Sequence, residues 1–334
     1  MGTQGGVCWL VLFLWSMFAG VGPDDGRPAF AVIEKAAGFV GFYTENGRRV
    51  GGVKVGSFPH EAVLSPDGRL LYVTDNGVLW MTDQGDGGNT VSVVDVREMK
   101  KVGVIDLGCF RRPHGIALDA ISGRLLVTTE KPPGLLLIDA AARKVLRDYD
   151  VKGKSPHMVT LGPGGQWAFV SNTDSDAVAG VHLRSGQVKL IRTGARPQGG
   201  VLAPGADRLY VVNSGSDRIT IIDPRSQAAV GTIPTGKGPG RIAITPDGRT
   251  LVYNLQRDQG VGFADVASGK QVATIALGGR PLSLTMTRDG ERAFASVQDQ
   301  DRIFVVSVSG RKILRVIETP KGAGPDPVVP LRDQ

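Results

Sequence analysis

Residues 59–76 read PHEAVLSPDGRLLYVTDN, a pattern that recurs along the chain and decides its fold. A proline begins an apolar segment, Pro66-Asp67-Gly68 makes a turn, and a second apolar segment follows at residues 70–74. Asp-Gly between two alternating apolar segments is typical of a β-hairpin, because glycine adopts positive φ without steric cost. We therefore predict two antiparallel strands here, with the proline at the start of the first.

This proline recurs in seven units, most of them about 42 residues long. In each unit the proline is followed by a turn, a second apolar segment, a polar loop and further apolar segments. The first interval is longer because of an insertion at roughly residues 77–89. Four strands per repeat of this length predict an all-β fold, a seven-bladed β-propeller with four antiparallel strands per blade. The seven anchor prolines are Pro59, Pro113, Pro156, Pro197, Pro239, Pro281 and Pro325.

The two ends of the chain complete one blade between them in this alignment. The tail matches a first strand at residues 325–331 and then stops. The head matches the second, third and fourth strands at residues 29–32, 40–43 and 50–55. We therefore predict a closing blade built from both termini. Because its pairing is non-local, truncation of either end is expected to destabilise the ring.

The composition agrees with many short strands and tight turns. Glycine and proline account for 47 and 20 of the 334 residues. Hydrophobic residues make up 41% and charged residues 21% of the chain, which excludes a disordered protein and a coiled coil. The formal net charge of +7 favours acidic partners. Lysine and arginine form no dense block, so the sequence carries no specific signal for nucleic-acid binding.

An apolar run of 15 residues lies near the N-terminus, at residues 7–21. This length suits the hydrophobic region of a signal peptide and is short for a membrane span of about 20 residues. Residues 1–6 carry no Lys or Arg, which leaves an uncleaved anchor as an alternative. We predict a signal peptide or N-terminal anchor at residues 1–22 and a single propeller domain at residues 23–334. The protein is then extracytoplasmic, either periplasmic or secreted, and its mature chain has no transmembrane span.

Two second strands resemble a known repeat motif. Residues 71–76 read LYVTDN and residues 209–213 read LYVVN, which look like the Tyr-Val-Thr-Asn motif of the YVTN-repeat propeller family. The resemblance covers residues 23–331 and implies a secreted or surface-layer, seven-bladed propeller. More distantly, the repeat resembles propeller domains of nitrous-oxide reductase, nitrite reductase and lactonases. The family has no shared catalytic motif, so the resemblance implies a fold and a compartment but no catalytic residues.

Three of the four histidines directly follow an anchor proline, in three consecutive blades. They are His60, His114 and His157. The slot opens the innermost strand at the mouth of the channel, so the three imidazoles are candidates for a divalent transition metal, Zn²⁺, Cu²⁺ or Mn²⁺. Asp326 occupies the same slot in the closing blade and is a candidate fourth ligand. A non-metal ligand site and a purely structural role, inherited by duplication of one Pro-His unit, remain open.

Arginines and other polar residues surround the same mouth. Arginine precedes the anchor proline in three blades, which is expected to focus positive potential on a small anion. Ordinary solvated loop charge is the alternative. The insertion in the first full repeat brings an aromatic residue that is a candidate lid over the pocket. The candidate ligand-binding residues are Arg112, Arg196, Arg241, Arg280, Gln198, Glu61 and Trp80.

These observations favour a binding module over an enzyme. The preferred hypothesis is a secreted propeller whose top-face pocket binds a metal ion, a small anionic ligand or a protein partner. The first alternative is a metal-dependent hydrolase or lyase, similar to a lactonase, that uses the three histidines. The second is a periplasmic accessory to a redox system. The chain has no CxxCH motif, so it does not attach c-type haem itself.

Overall fold

The computed structural model describes residues 25–332 and folds them into seven four-stranded antiparallel sheets. Each sheet is one blade of a β-propeller, so the fold predicted from the repeat is confirmed. The predicted signal peptide or anchor at residues 1–22 lies outside the described residues. Among residues 25–332 the structure contains no helix with the length and apolar character of a membrane span.

The strands are numbered in chain order, and the blades are numbered from the one that contains the first strand. Blade 1 consists of β1 (Phe30–Glu34), β2 (Phe39–Tyr43), β3 (Arg49–Lys54) and β28 (Pro325–Pro330). Blade 2 consists of β4 (Pro59–Leu64), β5 (Leu70–Asp75), β6 (Thr90–Asp95) and β7 (Lys100–Asp106). Blade 3 consists of β8 (Arg111–Asp119), β9 (Arg124–Lys131), β10 (Pro133–Asp139) and β11 (Lys144–Tyr149). Blade 4 consists of β12 (Pro156–Leu161), β13 (Trp167–Asn172), β14 (Ala177–His182) and β15 (Val188–Arg192).

The remaining blades follow the same order. Blade 5 consists of β16 (Pro197–Leu202), β17 (Leu209–Asn213), β18 (Arg218–Asp223) and β19 (Ala228–Pro234). Blade 6 consists of β20 (Pro239–Ile244), β21 (Thr250–Leu255), β22 (Gly260–Asp265) and β23 (Lys270–Ala276). Blade 7 consists of β24 (Pro281–Met286), β25 (Arg292–Val297), β26 (Arg302–Ser307) and β27 (Lys312–Glu318). Short 3₁₀ turns lie at Pro163–Gly165, Thr173–Ser175 and Gln298–Gln300.

The ring closes through blade 1, as predicted. Strand β28 from the tail pairs antiparallel with β1 from the head, and β2 and β3 follow in order. Phe30 lies opposite Pro330 and Val32 lies opposite Val328. The closure therefore depends on hydrogen bonds and packing between the two ends of the chain, with no covalent link across the seam.

The hydrophobic core lies between neighbouring blades. Ile33 and Phe42 of blade 1 pack in one cluster with Leu71 and Val73 of blade 2, and all four side chains are fully buried. The inner strands are buried on both faces because each sheet is covered by the next. The outermost strands, such as β3, β7 and β27, are largely exposed. This arrangement leaves the inner ends of the first strands to form the channel mouth.

The backbone that enters each blade has an unusual conformation. The residue before the anchor proline has positive φ in six of the seven blades, with values between 44° and 70°. These residues are Phe58, Arg112, Ser155, Arg196, Gly238 and Gly324. Arg280, before Pro281, is the exception. Positive φ is sterically unfavourable for residues other than glycine. Arg280 therefore enters its blade from a relaxed backbone, whereas the four non-glycine residues at this position have a strained one.

Candidate functional site

The three predicted histidines lie side by side at the channel mouth, each directly after the anchor proline in the first strand of its blade. The ring centroids of His60 and His114 are 3.9 Å apart, and those of His114 and His157 are 4.2 Å apart. His60, His114 and His157 are 9%, 1% and 5% exposed, respectively. The three imidazoles therefore form a buried, tilted stack that crosses blades 2, 3 and 4.

Threonines of the second strands hold the backbone beneath this stack. The Thr74 hydroxyl donates to the carbonyl oxygen of His114 at 2.9 Å, and the Thr128 hydroxyl donates to that of His157 at 2.7 Å. Each bond joins one blade to the next. The threonine of the repeat motif thus fixes the blade spacing that brings neighbouring imidazoles into contact.

His114 has a carboxylate partner behind it. Its Nδ1 lies 3.0 Å from Oε1 of Glu130, and Nη1 of Arg112 lies 3.4 Å from Oε2 of the same carboxylate. Burial raises the pKa of Glu130, but the hydrogen bond from His114 and the positive charge of Arg112 outweigh this effect and lower it overall. The Glu130 carboxylate therefore accepts a hydrogen bond from Nδ1–H of His114, and Nε2 is the other ring nitrogen of this imidazole. That buried Nε2 atom has no hydrogen-bond partner.

His60 and His157 are held in the neutral form. Burial lowers the pKa of each imidazole well below its usual range, and the neighbouring His114, Arg241 and Lys35 lower it further. The Nδ1 atoms of His60 and His157 also have no hydrogen-bond partner. The Nδ1 atom of His60 lies 3.5 Å from Oδ2 of Asp326, which is long for a hydrogen bond. The stack therefore contains three buried nitrogens without hydrogen-bond partners. Burying such a polar atom costs free energy that no hydrogen bond recovers.

An ion pair crosses the channel from blade 6 to blade 2. Nη2 of Arg241 lies 2.6 Å and its Nε 3.2 Å from Oε1 of Glu61, and both side chains are more than nine-tenths buried. A second buried pair joins Nζ of Lys35 to Oδ2 of Asp326 at 3.2 Å. Both pairs lie beside the histidine stack. Together these two ion pairs fill part of the channel with charged side chains that neutralise each other.

The opposite wall of the mouth is accessible and basic. It encloses a cavity of about 680 Å³ together with the histidines, and Arg196, Arg257 and Arg280 line it. Arg196 forms an ion pair with Asp174 at 2.7 Å, and Arg257 forms one with Asp217. Arg280 instead donates from Nη2 to the amide oxygen of Gln256 at 3.2 Å. Within residues 25–332 no carboxylate neutralises Arg280, so this wall carries one uncompensated guanidinium.

Most of the predicted site residues meet in this cavity. Its lining includes His60, His114, His157, Asp326, Arg196, Arg241, Arg280, Gln198 and Trp80. Glu61 lies next to it and is engaged by Arg241.

Arg112 has a different position. Its buried guanidinium donates to the carbonyl oxygens of Met81, Asp83 and Gly85 at 3.1, 2.5 and 2.8 Å. Together with its ion pair to Glu130, these bonds fasten the insertion at residues 77–89 over the mouth. Arg112 is therefore an anchor of the insertion and does not line the cavity.

The metal site predicted from the histidines needs a geometry that the present arrangement does not provide. Within the described part of the chain, no group of three or more His, Cys, Asp or Glu side chains has the spacing to hold a metal ion. The imidazoles stack with interplanar angles of 40° and 45°. The donor types suit a transition metal, but the rings must turn toward a common centre before they can bind one.

Sequence analysis missed a second ring of residues around the mouth. In each blade, one second-strand residue pairs with the anchor proline, and the residue after it occupies an equivalent position of the repeat. Lys35, Ser214 and Gln256 from this ring line the cavity. The repeat could have revealed this ring, because a polar residue recurs at this position in all seven blades. These residues are Lys35, Asn76, Glu130, Thr173, Ser214, Gln256 and Gln298.

Comparison with known proteins supports the fold and the predicted resemblance. No protein-family model matches the chain. The chain is 25% identical over 207 residues to YncE of Salmonella typhimurium, an uncharacterized protein, covering 60% of this chain and 54% of that protein. It is 29% identical over 224 residues to the seven-bladed β-propeller protein Rv1057 of Mycobacterium tuberculosis, covering 57% and 56%. The matches span about half the length of these curated relatives.

A solved structure extends the likeness to the whole ring. A protein of unknown function from Desulfotomaculum acetoxidans superposes with a TM-score of 0.74 at 14% identity, covering 90% of this chain and 98% of that one. At this identity the match shows the fold alone. The chain is thus similar to YncE-like seven-bladed propellers, as its repeat motif indicated.

Proposed function

We propose that this seven-bladed propeller is a binding module whose channel-mouth cavity takes a small organic anion with a carboxylate or phosphate group. The observation that carries the proposal is Arg280, a guanidinium in the cavity wall with an amide partner and no carboxylate. A guanidinium binds such groups through two parallel hydrogen bonds. The other lining cations already have acidic partners, so an incoming anion is expected to seat at Arg280.

The rest of the cavity supports a ligand with further polar atoms. Gln198, Gln256 and Ser214 offer amide and hydroxyl groups, and each of the three histidines has one ring nitrogen without a hydrogen-bond partner. The Arg241–Glu61 pair lies across the channel beside them. We therefore expect the ligand to enter from the outer face of the mouth, where the basic wall is exposed. The apolar run at residues 7–21 leads us to place this binding outside the cytoplasm.

The test compares Arg280→Gln with a matched variant elsewhere on the same blade. The full chain is titrated with propionate and with inorganic phosphate, and binding is followed by ligand-observed NMR. We expect saturable binding of at least one anion, weakened about tenfold or more by R280Q. Arg302→Gln, which removes an exposed arginine paired with Glu318, should leave the affinity unchanged. Equal affinity in R280Q, or no saturation by either anion, would overturn the proposal.

A divalent transition metal at the histidines is the second candidate, favoured by the His114–Glu130 pair. A metal-binding histidine usually donates one ring N–H to a carboxylate and binds the metal through its other nitrogen, and His114 has this arrangement with Glu130. A bound metal would supply Lewis-acid chemistry, as hydrolases and lyases use it. We expect Zn²⁺ to raise the melting temperature of the native chain and of His182→Ala, but not of His114→Ala. Unchanged melting of the native chain with Zn²⁺, Cu²⁺ and Mn²⁺ would rule this candidate out.

A further inference from the structure

A second cavity adjoins the channel mouth on its blade 7 side. It measures about 350 Å³ and is bordered by Ala36, Gln298 and Gly324. Four residues line both cavities, namely Leu79, Trp80, Arg280 and Leu282. The two spaces are therefore parts of one cleft, and Arg280 lies where they meet.

The boundary between the two spaces is apolar apart from this arginine. Leu282 occupies the position that carries histidine in blades 2 to 4. Blade 7 therefore has an aliphatic side chain where those blades have an imidazole. Leu79 and Trp80 reach the same place from the insertion. Trp80 is 42% exposed, which makes it one of the largest apolar groups on the surface of the described residues. Tryptophan presents a large rigid apolar face, so an exposed one beside a cavity is suited to contact a ligand.

The position of Trp80 is set by the fold. Its backbone N–H donates to Oδ2 of Asp83 at 2.9 Å, and its carbonyl oxygen accepts from the Asp83 N–H at 3.0 Å. The Arg112 guanidinium donates hydrogen bonds to three carbonyl oxygens of the same insertion. The insertion thus holds the indole at the cleft, next to the uncompensated guanidinium of Arg280.

We infer that the cleft binds an amphiphilic monocarboxylate, with its carboxylate on Arg280 and an apolar or aromatic group against Trp80, Leu79 and Leu282. This inference rests on the proposed function and names the class of ligand. Asp299 and Asp301 also line the second cavity. A second carboxylate in that cavity would meet like charge, so dicarboxylates are expected to bind less well than an apolar monocarboxylate.

The experiment uses two probes that differ by one phenyl group, propionate and 3-phenylpropionate, on the full chain. We expect 3-phenylpropionate to bind about 10- to 100-fold more tightly, which is the worth of burying an aromatic side chain. Trp80→Ala should abolish most of this difference, and Trp80→Phe should retain part of it. Trp167→Phe is the matched control, because Trp167 packs on His182 away from this cleft.

The outcomes separate this inference from the proposed function. Equal affinities for the two probes, or a phenyl preference that survives W80A, would overturn the amphiphilic ligand while the anion site at Arg280 stands. Succinate binding more tightly than 3-phenylpropionate would also overturn it. If neither carboxylate saturates, or if R280Q binds both as well as the native chain, the proposed function fails as well.

Discussion

The two halves of the channel mouth are built from the same repeat slot, yet they differ in chemistry. Blades 2 to 4 place buried histidines there, and burial lowers the pKa of His60 and His157 well below its usual range. Blades 5 to 7 place Gln198, Gly240 and Leu282 at that slot and surround them with exposed arginines. The comparison shows that the repeat determines where a side chain lies. The neighbours from other blades determine whether it is packed or available to a ligand.

The largest effect is expected from breaking the ion pair that joins the two halves. Arg241→Met keeps the apolar stem of the side chain but leaves the Glu61 carboxylate buried without a partner. We expect the free energy of unfolding to fall by about 3–5 kcal/mol. Urea unfolding followed by circular dichroism measures the loss.

Two variants serve as controls for that measurement. Arg302→Met removes one partner of an exposed pair, Arg302–Glu318, and should cost no more than about 1 kcal/mol. The double variant Glu61→Met with Arg241→Met should recover most of the stability, because no buried charge is left unpaired. If R241M were as mild as R302M, the pair would not be the link between the two halves.

The next effect is a pH dependence that belongs to the histidine half. His60 and His157 have folded pKa values lowered well below 6.5, chiefly by burial. Between the folded and unfolded pKa values only the unfolded chain takes up these protons. The stability is therefore fully present above about pH 6.5 and falls as the pH drops, by at most about 1.4 kcal/mol per pH unit for each group.

Urea midpoints measured from pH 8 down to pH 5 test this slope. The double variant His60→Gln with His157→Gln should flatten it, whatever the absolute stability of the variant. His182→Gln should keep the native slope, because His182 ends β14 at the other face and binds Ser185 through Nδ1. A slope that survives loss of both channel histidines would assign the pH dependence to other groups.

The smallest effect is expected from alanine substitutions that test how closely neighbouring blades pack in each half of the mouth. Gly115 follows His114 and Gly199 follows Gln198, so both occupy the same position of the repeat. A Cβ added at Gly115 would lie 2.5 Å from the carbonyl oxygen of His157, while one at Gly199 would lie 3.0 Å from that of Gly240. We expect Gly115→Ala to destabilise the protein by about 1–3 kcal/mol, and Gly199→Ala by less.

Thermal unfolding of the two alanine variants side by side checks the order. A cost at Gly199 equal to or above that at Gly115 would mean that the blades of the histidine half are not packed more tightly. Near-ultraviolet circular dichroism of G115A offers a second readout, since a shift between blades 3 and 4 alters aromatic packing.

Sequence analysis predicted the ring and located most of the cavity residues. The periodic proline placed His60, His114 and His157 in adjacent blades, and the truncated units at the two ends predicted the closing blade. It assigned Arg112 to the ligand, because a residue before the anchor proline was expected to face the mouth. The structure shows that this guanidinium turns behind the wall, where its two terminal nitrogens donate to carbonyl oxygens of the insertion and to Glu130. No local sequence pattern indicates the direction in which the Arg112 side chain points.

By itself the sequence determined the number of blades, their strand order and the slot that each residue occupies, because these depend on short-range periodicity and turn chemistry. Only the tertiary structure decided which charges meet. Glu61 and Arg241 are 180 positions apart and become partners because closing the ring brings blades 2 and 6 to opposite sides of one narrow channel. Arg280 remains uncompensated for the same reason, since among the described residues it donates to the Gln256 amide and forms no ion pair with a carboxylate. Pairing across a closed ring depends on the distances that closure creates, and a linear sequence does not contain those distances.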